Sequence, residues 1–117
     1  MNKNLLVGIA LGLVTLPAAA VDKGDPVKGE QVAAQCVACH GEGGNSGNAA
    51  FPNLAGQYAD YIVKALQDYK SGARKPGSPL GASMPGMAAG LSQADMENVA
   101  AYYSRQSGQL YAPSVLK

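Results

Sequence analysis

Cys36-Val37-Ala38-Cys39-His40 is the stretch on which the reading of this chain turns. Residues three and four apart on a helix lie above one another, so both thiols and the imidazole share one face if the stretch is helical. Three chemistries use such a set. A Cys-x-x-Cys pair can be a redox disulfide, but those sit at a strand-to-helix turn in a βαβ context, and this chain offers no strand pattern. Zinc takes four N or S ligands, and two cysteines with one histidine leave the fourth unfilled. The five positions together are the spacing of covalent haem attachment. Two thiols add to the vinyl groups on neighbouring edges of one porphyrin, and His40 rises beneath the iron as its proximal ligand.

That group also bears on the fold. The chain has 117 residues, one domain by length. About a hundred residues bury only a modest core, and domains this small often need a staple. A covalently held haem would be one. Three helices are expected around it. The first opens at Asp25-Pro26, an N-cap followed by proline at the first helical position. Gly29, Val32, Ala33 and Cys36 then recur at helical spacing. The second carries Tyr58, Tyr61, Ile62, Ala65, Leu66 and Tyr69 on one face, with Asp60, Lys64 and Asp68 opposite and Gly72 at its end. The third has Ser92 as cap, Asp95 three residues on, and Leu91 placed to staple against Met96. Val99, Ala100, Tyr102 and Tyr103 continue it towards Gly108. No segment alternates as a strand would, so the expected class is all-α, three main helices plus loops wrapped around one haem. Residues 41–56 and 72–90 read as long loops, which in so small a domain implies that something other than chain packs against them.

The first 20 residues read as a cleavable secretory signal peptide rather than as part of that domain. Lys3 supplies a positive start, residues 5–16 are a twelve-residue apolar run, Pro17 breaks it, and Ala18-Ala19-Ala20 offers the small residues a signal peptidase needs. The run is short for a bilayer span of ~20 residues, so no permanent membrane anchor is expected. The mature domain is then 21–117, with an ordered core over about 24–108 and a tail at 109–117. Residues 21–117 hold eight Lys or Arg and eight Asp or Glu. That balance lacks the basic stripe a nucleic-acid partner would reward, and it gives no strong steering field.

His40 is the single histidine in the sequence. The iron's sixth position therefore falls to methionine, to a weaker donor, or to none. Met96 sits at the staple position of the third helix and reads as core. Met84 and Met87 lie in Ser83-Met84-Pro85-Gly86-Met87, far enough from His40 to reach the opposite haem face. Pro85 biases Met84 towards an extended conformation suited to an inward-aimed loop side chain. On residue type alone the two are equivalent, since either could instead fill a gap in the core.

From Cys36 onwards the chain resembles class I cytochrome c, most closely one half of the two-haem bacterial cytochromes of the c-four group. The stretches that carry the resemblance are 36–41, Phe51-Pro52-Asn53-Leu54-Ala55-Gly56-Gln57, Met84-Pro85-Gly86-Met87, and Leu91-Ser92 leading into Ala100-Ala101-Tyr102-Tyr103. It covers essentially the whole mature chain. The resemblance implies that Met84, eight residues before Ser92, is the axial methionine, with Met87 packing at the haem edge. It implies that the carbonyl of Pro52, twelve residues after His40, accepts a hydrogen bond from the proximal imidazole. Leu54 would pack on the haem, and Gly29 would let the first helix cross closely over the last near Val99 and Tyr102. A second Cys-x-x-Cys-His does not occur in the sequence, so one haem c is expected where the two-haem proteins hold two.

The function so implied is that of a periplasmic single-electron carrier, not an enzyme. Val37, Ala38 and residues 82–89 would ring an exposed haem edge with small apolar groups. Partners would be redox proteins met transiently (respiratory reductases, terminal oxidases or periplasmic dehydrogenases), with the carrier itself a monomer. Two other functions use the same residues: a five-coordinate haem that binds or senses a gas, and an electron-transfer subunit of a larger oxidoreductase.

Overall fold

The structure, a computed structural model, describes residues 23–110 together with Gly12. The signal peptide expected over residues 1–20 lies, apart from Gly12, outside the described residues, as does the tail from 111 onwards.

Five α-helices and two short 3-10 turns make up the described chain, with no strand among the described residues. Helix α1 is Pro26–Ala33. Asp25 caps it, its Oδ1 accepting from the N–H groups of Val27 at 2.9 Å and Lys28 at 3.3 Å. A tight turn over residues 34–36 leads into α2, Val37–His40, and a 3-10 turn follows at Glu42–Gly44. Helix α3 is Ala59–Ser71, ended by Gly72 in the left-handed conformation with its N–H on the Tyr69 carbonyl. After a second 3-10 turn, Pro79–Ser83, come α4, Met84–Ala89, and α5, Gln93–Ser104.

Helices α1 and α5 form the most extensive pair, α3 packs on α5, and α4 packs on α3. The α1–α5 crossing depends on Gly29. A Cβ there would stand 2.0 Å from the Asn98 carbonyl oxygen and 2.8 Å from Tyr102 Cβ, so only a bare backbone fits. Between the helices lies a small core of Ala33, Ile62, Val99, Ala100 and Tyr103, with Val32, Cys36, Leu54, Ala59, Val63, Leu66 and Tyr102 packed against it.

Three expectations shift. The apolar stripe of α3 is rotated: Ala59, Ile62, Val63 and Leu66 meet the core, while Tyr61 is 51% exposed. Tyr61 and Tyr69 instead hold the Arg74 guanidinium, 5.8 and 5.2 Å from their ring centroids, because a tyrosine has an apolar body but a polar tip that keeps to the surface. The stretch 72–90 is not all loop, since it contains α4. Met84 is helical, with φ −61° and ψ −40°, rather than extended: Pro85 stands in the first turn of α4, where a missing N–H costs no helical bond.

Among the described residues no helix is long and apolar enough to cross a membrane.

Candidate functional site

The attachment stretch folds as one helical turn. The Cys36 carbonyl accepts from the N–H groups of Cys39 at 3.3 Å and His40 at 2.9 Å, while Cys36 N–H donates to Ala33 O at 2.7 Å. This turn carries Cys36, Cys39 and His40 at i, i+3 and i+4, a common face. Both cysteines are free thiols, Cys36 half-buried and Cys39 exposed. Burial pushes the Cys36 thiol up from its ordinary value; the Tyr103 hydroxyl beside it acts the other way, and Cys39 adds to the rise.

His40 closes α2 and is 7% exposed. Its Nδ1 lies 2.8 Å from the Pro52 carbonyl oxygen. A carbonyl can only accept, so Nδ1 carries the proton and Nε2 keeps its lone pair for a ligand. Pro52 is held there by a loop stitched at both ends. Gly41 ends α2 at φ 77°. The Gly44 carbonyl takes the N–H groups of Leu54 at 2.8 Å and Ala55 at 3.1 Å, and Ser46 N–H donates to Asn53 Oδ1 at 2.7 Å. Gly56 N–H then donates to the Tyr103 carbonyl at 2.9 Å, joining the loop to α5.

Met84 and Met87 stand three residues apart in α4, Met84 half-buried and Met87 36% exposed. Leu54 and Val99 lie at the core beside Cys36, whereas Tyr102 and Gly29 meet at the α1–α5 crossing. The residue the sequence reading passed over is Tyr103. It is 1% exposed, and its hydroxyl is buried near Cys36 with no hydrogen-bond partner among the described residues. The helical spacing of Met96, Val99, Ala100 and Tyr103 was the available sign, since all four are among the buried residues of α5.

These groups fit a covalently attached haem. Two free thiols and an imidazole with an open Nε2 are the donor set it requires, and the orphaned Tyr103 hydroxyl is polar capacity that the protein leaves unused. Among the described residues no group of three or more His, Cys, Asp or Glu could hold a metal ion.

A model of the family described as Cytochrome c matches residues 26–105. The chain is 43% identical over 123 residues to cytochrome c4 of Stutzerimonas stutzeri, covering 99% of this chain and 57% of that protein. It is 45% identical over 83 residues to cytochrome c-554(548) of Halomonas halodenitrificans, covering 71% of this chain and 98% of that protein. The crystal structure of reduced recombinant cytochrome c4 from Pseudomonas stutzeri matches it with a TM-score of 0.64 at 46% identity, over 74% of this chain and 48% of that one. The chain thus spans about half the length of the cytochrome c4 proteins it matches. Family match, all-helical fold and the attachment turn agree: the chain belongs to the cytochrome c family, electron-transfer proteins built around a covalently held haem c.

Proposed function

We propose that this chain is a periplasmic single-electron carrier, holding one haem at Cys36 and Cys39 with His40 and Met84 as the two axial ligands of its iron. The observation that carries this reading is the His40–Pro52 contact of 2.8 Å, which fixes the imidazole ring and its tautomer with Nε2 free. A buried histidine held in that way is prepared to ligate rather than to shuttle protons.

For the sixth position the support is positional. Met84 is half-buried at the start of α4, while Met87 is 36% exposed and suits the haem edge. A thioether is a soft ligand that favours ferrous iron and raises the potential. When bound, the haem supplies a one-electron change between ferric and ferrous iron. The residues around it do the rest. His40 and Met84 would hold its iron from this chain, and Leu54 and Val99, at the core beside Cys36, would keep water from it. Val37, Ala38 and Met87, none of them buried, would ring the haem edge with apolar groups suited to the small, short-lived contacts of redox partners. Reductases, terminal oxidases or dehydrogenases of the same compartment are the partner classes, and the carrier acts as a monomer. The periplasmic assignment rests on the pattern of residues 1–20.

The ferric protein should show the weak sulfur-to-iron charge-transfer absorption at the red end of the visible spectrum. Met84→Ala should abolish it and Met87→Ala should keep it; the reverse result overturns the ligand assignment. Rapid carbon monoxide binding by the reduced wild-type protein at neutral pH would overturn the carrier reading in favour of a gas-binding one.

A further inference from the structure

Tyr103 has more chemistry than packing explains. Its ring is 1% exposed and meets Tyr102 edge to face, with centroids 5.1 Å apart. Gly44 yields space to it: a Cβ at Gly44 would stand 2.8 Å from Tyr103 Cδ1. The Tyr103 carbonyl is taken by Gly56 N–H. Only the hydroxyl is left over, buried and without a hydrogen-bond partner among the described residues. A buried hydroxyl without a partner opposes folding, and phenylalanine would fill the same space without that penalty. The oxygen is thus available to a group that completes the site.

Its neighbour is the sulfur of Cys36. Cys36 packs against the cluster that holds Tyr103, and burial raises both groups from their ordinary values. We propose that Tyr103 is a positioning residue for the haem, its hydroxyl donating to the Cys36 sulfur once that sulfur is bonded to the porphyrin rim. The proposal rests on Cys36 being an attachment point. A free thiol is both weak donor and weak acceptor, so the pair has no defined direction. A sulfur bonded to two carbons has no proton and can only accept, which gives the phenol its partner and the pair one orientation. In a water-excluded site such a bond is strengthened. It orients the sulfur and draws electron density from it. Partial positive charge at the rim favours the reduced iron, so losing the donor should lower the midpoint potential.

The test uses the haem-loaded protein, wild type and Tyr103→Phe. In the reduced, diamagnetic wild type, proton NMR should find a slowly exchanging Tyr103 hydroxyl proton with cross-relaxation to the Cys36 β-protons. Spectroelectrochemical titration should find a lower midpoint for Tyr103→Phe, with an unchanged visible spectrum. An unshifted midpoint overturns the proposal, and so does a hydroxyl proton in contact with another acceptor. If the variant does not fold, the wild-type NMR contact alone decides. Mass analysis of the wild-type haem peptide separates the two readings. A peptide with no bond at Cys36 overturns the attachment and the proposal together, whereas normal attachment with an unshifted midpoint overturns only the role of Tyr103.

Discussion

Gly44 sits where the loop after α2, the segment bearing Leu54 and Ala55, and helix α5 come together. Its φ is +80°, a region L side chains rarely adopt, and its carbonyl accepts from both Leu54 and Ala55. A Cβ would stand 2.8 Å from Ala55 N, 2.8 Å from Tyr103 Cδ1 and 3.0 Å from Leu54 Cβ. Strain and collision therefore coincide, and the Leu54–Ala55 backbone cannot yield without moving the turn that aims the Pro52 carbonyl at His40. Gly72 is the control, since its φ is +79° but nothing lies within 4 Å of its Cβ position. In denaturant unfolding of the haem-loaded protein, Gly72→Ala should cost about 1 kcal/mol for the left-handed backbone alone. Gly44→Ala should cost on the order of 3 kcal/mol, backbone strain plus overpacking. Equal losses would show that the crowding at Gly44 is relieved at no cost. At this scale the sequence was uneven in what it disclosed. Cys36, Cys39 and His40 were legible because attachment chemistry tolerates one spacing, and Pro52 because the resemblance gave an offset from His40. Tyr103 was legible as core from its spacing but not as a neighbour of Cys36, because only the packing of α5 brings the two together.

Helix α5 begins with a reciprocal cap. Ser92 Oγ accepts from Asp95 N–H at 3.1 Å, while Asp95 Oδ2 takes the Ser92 N–H at 2.9 Å and the Ser92 hydroxyl at 2.7 Å. Ser92→Ala should lower stability by about 1 kcal/mol, the usual worth of an N-cap. The Ser92 hydroxyl first, and its backbone N–H second, hold the Asp95 carboxyl below its ordinary value. A carboxyl depressed in the folded state stabilises above its unfolded pKa, and that contribution fades as pH falls through the lower folded value. Asp95→Asn should therefore be less stable than wild type at neutral pH, with the two midpoints converging in acid; a pH-independent difference would assign the effect to packing. Caps of this kind were readable at Asp25, Gly72 and Ser92 because their chemistry is local. Helix α4 was hidden because Met84-Pro85-Gly86 carries two residues that read as breakers, and only tertiary packing on α3 makes the proline a starter. The face of α3 was misjudged for a related reason: counting Tyr61 and Tyr69 as apolar ignored the surface cation that both rings hold.

Among the described residues the buried apolar set is Ala33, Ala55, Ile62, Ala88, Leu91, Met96, Val99, Ala100, Ala101 and Tyr103, half of it alanine. An alanine allows close approach, as at the α1–α5 crossing, but removes little apolar surface from water. The Lys64–Asp68 pair joins neighbours on one turn of α3, with the lysine mostly in solvent, and adds little. A domain is stable by only about 5–15 kcal/mol after chain entropy is counted, and a core this thin does not reach that alone. Leu54, Cys36 and Val99 come from three separate segments that meet at this thin core, and half-buried Met84 comes from a fourth. An apolar plate joined at two points would bridge those segments and shorten the loops that the free chain must close. The chain with Cys36→Ser and Cys39→Ser, prepared without haem, should therefore lose most of its helical circular dichroism at neutral pH and melt without a cooperative transition. The attached protein should melt in a single sharp step. Restoring one cysteine with haem present should recover helix at a lower midpoint, since one bond still ties the plate to α2. A haem-free chain that kept full helix and a sharp transition would mean that α1, α3 and α5 suffice by themselves, and the group would then be cargo in this fold rather than part of its core.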